Sequence, residues 1–252
     1  MRVIVRDTAR RWYERWESQQ QLYAGDREER FDAVLDAVEA VRARPRVIVD
    51  LGSGPGSLAA RAAGRFPEAT VVAVDQDPFL LELGSAAHPQ VEFVQSDIGA
   101  PNWASALARH SGRIDAIVSS TALHYPRPDT LAGIYRDCHR LLEPRSILVD
   151  ADQFYPVDSR WDRMLAATED VRSHRSRAKR PSENWGQWWA AAAAEPSFSD
   201  ALARRASEVP VHEKDNNLSI DDHLELMRQA GFVAAGPIWQ HGRSAAIAGM
   251  TA

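Results

Sequence analysis

The ten residues from Val47 to Gly56 read Val-Ile-Val-Asp-Leu-Gly-Ser-Gly-Pro-Gly, a β-branched apolar run that meets a carboxylate and then breaks into three alternate glycines. Such a run is a buried strand. Closed by glycines and followed by the helical pattern of Ser57 to Phe66, it makes a turn that brings backbone N–H groups close to a ligand, because no Cβ stands in the way. The pattern is a nucleotide-cofactor signature, and its spacing narrows the cofactor. A dinucleotide site needs Gly-x-Gly-x-x-Gly, the third glycine letting helix and strand close up. Here the spacing is Gly52-x-Gly54-x-Gly56, with Asp50 ahead of it.

Three more strand-and-turn units follow in order. Thr70-Val-Val-Ala-Val-Asp75 ends in a carboxylate roughly twenty residues beyond Gly52, near the offset at which related folds place a ribose ligand. Val91-Glu-Phe-Val-Gln95 runs into Ser96-Asp97-Ile98, and Ile114-Asp-Ala-Ile-Val118 leads to Ser119-Ser-Thr-Ala-Leu-His-Tyr125. Together these segments resemble the motifs of the class I S-adenosylmethionine-dependent methyltransferases, of the type that acts on small molecules, over roughly Arg46 to Asp152 with a weaker C-terminal part.

The resemblance implies a seven-stranded Rossmann-like α/β sheet, mostly parallel with the last strand antiparallel, helices on both faces and a helical lid. It implies S-adenosyl-L-methionine as cofactor and S-adenosyl-L-homocysteine as product. It also implies roles: Asp50, Gly52, Ser53, Gly54 and Gly56 around the methionine part, Asp75 with Gln76 at the ribose, Asp97 and Ile98 at the adenine. Ser119 to Tyr125 would face the reactive methyl, with Ser119 against the cofactor, and Arg27 or Arg30 would reach the cofactor carboxylate. Among these positions Asp77 before Pro78 reads better as a helix cap than as a ligand.

The rest of the chain fits one sheet with two additions. Helices after Gly56 and Pro128, a strand Ile147 to Ala151, a helix capped by Ser219-x-x-Asp222 and stopped by Gly231, and a closing hairpin through His241-Gly242 complete an α/β core over 45–151 and 211–252. The turn at Pro144-Arg145, where relatives place Pro-Gly, is expected to be type I, because type II wants positive φ after the proline. Residues 1–44 read as two helices, the second opened by Asp26-x-x-Glu29, and residues 152–210 as a helical insertion after the fifth strand. Six of the eight tryptophans (12, 16, 161, 185, 188, 189) lie in these two segments. Ligands of open α/β sheets sit outside the carboxyl ends of the strands, so both segments are expected to form a lid there. Trp12, Trp16 and Trp185 are the candidates to line a substrate pocket, and His212 its rim.

Composition sets the outer bounds. The 252 residues carry a net charge of −5, which argues against a general polyanion binder, and the run Arg172 to Arg180 reads as a solvated helix end. The single cysteine, Cys138, sits on an apolar helix face and allows neither an internal disulfide nor a thiolate metal site. No metal is expected, since His212, Glu213 and Asp215 alternate faces along an extended segment. No run reaches membrane-spanning length, so a cytoplasmic protein without a membrane partner is expected, as a monomer or homodimer.

Methyl transfer by in-line displacement asks the protein for alignment, water exclusion and, for some acceptors, removal of a proton. His124 is the candidate general base, with an ordinary pKa near 6.5, and Tyr125 the candidate to orient a small-molecule acceptor by its O, N or C atom. Alternatives are an RNA-modifying methyltransferase, a non-catalytic cofactor-binding partner, and an NAD(P)-dependent oxidoreductase, against which the glycine spacing speaks.

Overall fold

A computed structural model describes residues 4–23, 25–177, 183–210 and 215–252, and in 173–177 only the backbone course. His212 and Glu213 lie outside the described residues, as do positions 178–180 of the arginine-rich run. Seven strands form one sheet: β1 (Val47–Leu51), β2 (Thr70–Asp75), β3 (Glu92–Gln95), β4 (Ile114–Ser120), β5 (Leu142–Gln153), β6 (Ala234–His241) and β7 (Ser244–Met250), in the order β3-β2-β1-β4-β5-β7-β6. The first five run parallel, and β7 enters antiparallel between β5 and β6. All five residues of β1 are buried, as a central strand covered on both faces requires.

Side chains alternate along each strand, so two cores form. Ile48, Val71, Ala73, Val118 and Val149 meet α2 (Arg27–Val41) and α3 (Ser57–Arg65) through Phe31, Val34, Leu35, Val38, Leu58 and Ala62. On the other face Val49, Leu51, Val74, Ile117 and Leu148 meet α5 (Pro128–Leu141) and α9 (Ile220–Ala230), with Cys138 fully buried there. A third core stands beside the sheet. It joins α1 (Arg6–Tyr23), α4 (Pro78–Ala87), α7 (Trp185–Ala193) and α8 (Ser199–Glu208) around Trp12, Trp16, Phe79, Trp188 and Phe198. The segment after β5 begins with α6 (Ser159–Arg177), and α7 and α8 follow further on.

Local signals held where their partners are local. Asp77 accepts from the N–H groups of Phe79 (3.0 Å) and Leu80 (3.2 Å), the Ser219 and Asp222 capping box is formed, and Gly231 ends α9 at φ 110°. Two expectations fail. Asp26 makes no side-chain cap on α2, and Glu29 is drawn instead to Arg172 at 2.5 Å. Arg145 is not in a type I turn: its φ is +57°, inside a β5 that begins at Leu142. Tertiary bonds hold it there, since its N–H donates to Ala252 O (2.9 Å) and the next N–H, of Ser146, donates to Thr251 Oγ1 (2.9 Å).

Candidate active site

Strand order reverses between β1 and β4, and a cleft of about 1080 Å³ opens at their carboxyl ends, where such sheets hold ligands. The glycine turn forms its floor. Gly52 (φ 67°) and Ser53 donate their N–H groups to Val74 O at 2.8 and 3.0 Å, and a Cβ on Gly52 would stand 2.3 Å from that of Ala122. Gly54 (φ 54°) donates to Asp75 Oδ2 at 2.7 Å. Gly56 serves packing: it does not line the cleft, and a Cβ there would strike the Phe93 ring at 2.8 Å. The same ring lies against Gly84 of α4, where a Cβ would stand 2.5 Å away.

Carboxylates set the electrostatics. Asp50 is 1 % exposed and accepts one bond, from Ala59 N–H (3.0 Å), so burial pushes its carboxyl up to about 8 against that bond, with Asp75 adding to the rise. Asp75 ends β2 with Oδ2 on Gly54 N–H and Oδ1 on Asp77 N–H (2.8 Å), and burial raises it to about 6. Asp97 is exposed on the cleft wall, turned by an accepted bond from Gly99 N–H (2.8 Å), and Ile98 packs from the wall onto the second core. Gln76 and Ser53 complete this side. Ser119 does not line the cleft; it is fully buried and its hydroxyl donates to Leu51 O at 2.8 Å. The wall there belongs to Ser120, Thr121 and Ala122.

The helices outside the sheet close the far side with Trp16, Gln20, Tyr23, Arg27, Trp185 and Trp189. Trp16 stands over the turn, near enough that a Cβ on Gly54 would lie 3.7 Å from its ring, and its centroid is 5.2 Å from that of Trp185. Trp12 is not on this wall. It is 5 % exposed, edge-on to Trp188 and Phe198 in the third core, while Trp189, one position beyond Trp188, turns to the cleft. Arg27 lines the cleft but is paired bidentately with Glu17 at 2.8 and 3.1 Å. Burial would raise Glu17, yet Arg27 and Arg61 outweigh it and bring the group down to about 2.

His124 and Tyr125 adjoin the cleft differently. Tyr125 lines it, whereas His124 stands behind, its ring 3.9 Å from that of Tyr125. His124 Nδ1 lies 2.9 Å from both oxygens of the buried Asp152. Burial alone would lower the imidazole, but the Asp152 carboxylate more than offsets it, so the ring holds its proton above the usual range. Arg30, 2 % exposed, extends this set and donates from Nη2 to Thr121 Oγ1 at 3.0 Å. Neither Asp152 nor Thr121 was singled out from sequence. Arg127 and Arg205 also line the cleft, the latter bonded to Asp77 Oδ2 at 2.6 Å with its guanidinium 4.2 Å over Trp189. Among the described residues no group of acidic, His or Cys side chains is arranged to hold a metal ion.

Strand order, glycine turn and the carboxylates of β1, β2 and the β3 loop define a Rossmann-like methyltransferase architecture. A family described as a methyltransferase domain matches residues 48–145. That match, together with the relatives and solved structures below, supports a class I S-adenosylmethionine-dependent methyltransferase. It is 34 % identical over 134 residues to a trans-aconitate 2-methyltransferase of Azoarcus sp. (strain BH72), covering 53 % of this chain and 49 % of that protein. Over 57 residues it is 42 % identical to a malonyl-[acyl-carrier protein] O-methyltransferase of Halalkalibacterium halodurans, covering 21 % of each. The matched part spans at most about half the length of these relatives. In fold it is similar to the methyltransferase SibL (TM-score 0.56, 16 % identity, 91 % of this chain and 56 % of that one). It is similar also to human N-acetylserotonin methyltransferase (TM-score 0.54, 15 % identity, 94 % and 56 %).

Proposed function

We propose that this protein transfers a methyl group from S-adenosylmethionine to a small-molecule acceptor within the cleft. The observation that carries the reading is the convergence on one cleft of the glycine floor, the Asp75 carboxylate and an aromatic wall from α1 and α7. The residues suit the cofactor. Two positive-φ glycines let a chain-like group approach the backbone, carboxyl groups line the side where hydroxyls and an amine need acceptors, and indole faces suit a sulfonium cation. When bound, S-adenosylmethionine supplies a methyl on a cationic sulfur, which leaves as a neutral thioether.

This chain's residues then have alignment and desolvation to perform. Gly52, Ser53, Gly54, Asp50, Asp75, Gln76, Asp97 and Ile98 hold the cofactor. α1, α7 and α8 act as the lid, with Trp16, Trp185 and Trp189 excluding water above the glycine turn. Arg27, tied to Glu17, orders the junction of lid and floor. Tyr125 orients the acceptor, and His124, bonded to Asp152, works through Tyr125 as a positioning residue. An imidazole that keeps its proton suits that role better than proton removal. The names of the partial relatives, which include a tricarboxylate and an acyl carrier adduct, are compatible with a small or carrier-borne acceptor. The test is calorimetry with S-adenosylhomocysteine and with NADH, followed by mass spectrometry of acceptors incubated with methyl-labelled S-adenosylmethionine. Saturable binding of the first ligand alone is expected, and Asp75→Ala is expected to weaken it at least a hundredfold. Binding of NADH, or an unaffected Asp75→Ala variant, overturns the proposal.

A further inference from the structure

Thr121 is the described cleft residue with the least ordinary backbone. It is β-branched yet lies at φ 58°, a region such side chains rarely enter, and strain of this kind persists only where surroundings fix it. Two bonds do so: its N–H donates to Ala151 O (3.0 Å), and its hydroxyl oxygen accepts from Arg30 Nη2 (3.0 Å). Arg30 is buried at 2 % exposure, and its Nε is buried with no hydrogen-bond partner. The carboxylates of Asp152, Asp26 and Asp150 and the guanidinium of Arg27 face it. A fully buried guanidinium is a costly way to hold one hydroxyl of a wall residue, unless the hydroxyl has a task.

A threonine hydroxyl has one proton and two lone pairs. With Arg30 donating to the oxygen, the proton points elsewhere, and the bond shared with Ser120 Oγ, in which either hydroxyl can donate, is long at 3.4 Å. Thr121 itself is exposed on the wall it shares with Ala122 and Tyr125. We infer that Thr121, held by Arg30, is a specificity-determining residue that donates its hydroxyl proton to a carboxylate oxygen of the acceptor, so that the site selects small organic acids. A positive charge one hydrogen bond behind the donor favours an anionic oxygen over a neutral one. A carboxylate acceptor also arrives without a proton to lose, so it asks for no general base at His124, whose ring is bonded to Asp152. The inference rests on the methyltransferase reading above.

The test uses the full chain saturated with S-adenosylhomocysteine and follows tryptophan fluorescence, since Trp16, Trp185 and Trp189 line the cleft. The probes are trans-aconitate, benzoate and decanoate, each against its carboxamide. At least one acid is expected to bind saturably, with its amide weaker by about tenfold or more, the range of a hydrogen bond to a charged group. Thr121→Val and Thr121→Gly are expected to weaken the acid by a similar factor while S-adenosylhomocysteine affinity by calorimetry stays within about twofold; Thr121→Ser restores acid binding. Thr121→Gly relieves the backbone but takes a hydrogen-bond partner from the buried Arg30, so its retained S-adenosylhomocysteine affinity, measured on the same sample, is what separates lost acid binding from lost folding. The inference is overturned if no acid binds, if the amides bind as well as the acids, or if Thr121→Gly binds the acid as tightly as the wild type. Failure of the wild type to bind S-adenosylhomocysteine overturns the underlying reading instead.

Discussion

Asp50→Asn is expected to stabilise the ligand-free protein at neutral pH and to do little in acid. In the unfolded chain this carboxyl ionises near 3.8, whereas in the fold burial holds it protonated to about 8. Between those values the unfolded state sheds a proton that the folded state keeps. Stability therefore falls with rising pH by about 1.4 kcal/mol per unit, which accumulates to about 4 kcal/mol at pH 7. Asparagine is neutral at every pH, keeps an oxygen for Ala59 N–H and matches the carboxyl in shape. The variant's advantage should thus grow from near zero at pH 4 to about 4 kcal/mol at pH 7, which in a chain of this size raises the melting temperature by roughly 10 °C. Urea unfolding at pH 4, 5.5 and 7, with the slope checked for constancy, measures it. A variant less stable than the wild type at pH 7, or a difference that ignores pH, refutes the claim that Asp50 sits neutral in the fold.

Other expectations concern separate links of the chain. Glu17 is depressed from 4.5 to about 2, so it stabilises the fold above pH 4.5 and that contribution, about 3 kcal/mol, is lost as pH falls toward 2; Glu17→Gln should flatten the acid limb of a stability-against-pH curve. Arg145→Gly should add about 1 kcal/mol in urea unfolding by removing the Cβ at φ +57°. Asp152→Asn should bring the His124 pKa, followed by NMR, down from above 6.5, and an unmoved titration would remove Asp152 as its partner.

What could be read from the sequence was what depends on neighbours along the chain. The β-branched runs, the glycine turn, Asp77 ahead of Pro78 and the Ser219 cap each find their partners within a few residues, and each lies where its pattern put it. Helical spacing also pointed to gathered tryptophans, and Trp12, Trp16, Trp185, Trp188 and Trp189 do gather, while Trp161 stands exposed. The spacing did not show which would face the cleft, because that depends on how α1, α7 and α4 meet: Trp12 turns into their shared core, whereas Trp189 packs at its edge and lines the cleft. Arg145 misled because its conformation is held by the chain terminus, through Ala252 and Thr251. The Arg30, Thr121, Asp152 and His124 set was invisible as a set for the same reason, being assembled from α2, the β4 loop and the end of β5 with no motif to mark it.

Phe93 has a further consequence through its ring, which rests where Gly56 and Gly84 each lack a side chain. Those three positions behave as one unit of shape. Enlarging either glycine forces the ring to move, and at 84 a Cβ also meets Pro55 O at 2.6 Å, because α4 lies directly against the turn that leads into α3. A methyl at position 84 is therefore expected to destabilise the fold even beside a smaller residue at position 93, since the Pro55 carbonyl remains in its way. Across diverged copies of this domain 56 and 84 should stay glycine, the first for its φ of 85° and the second for the Pro55 carbonyl, while 93 can shrink but not grow.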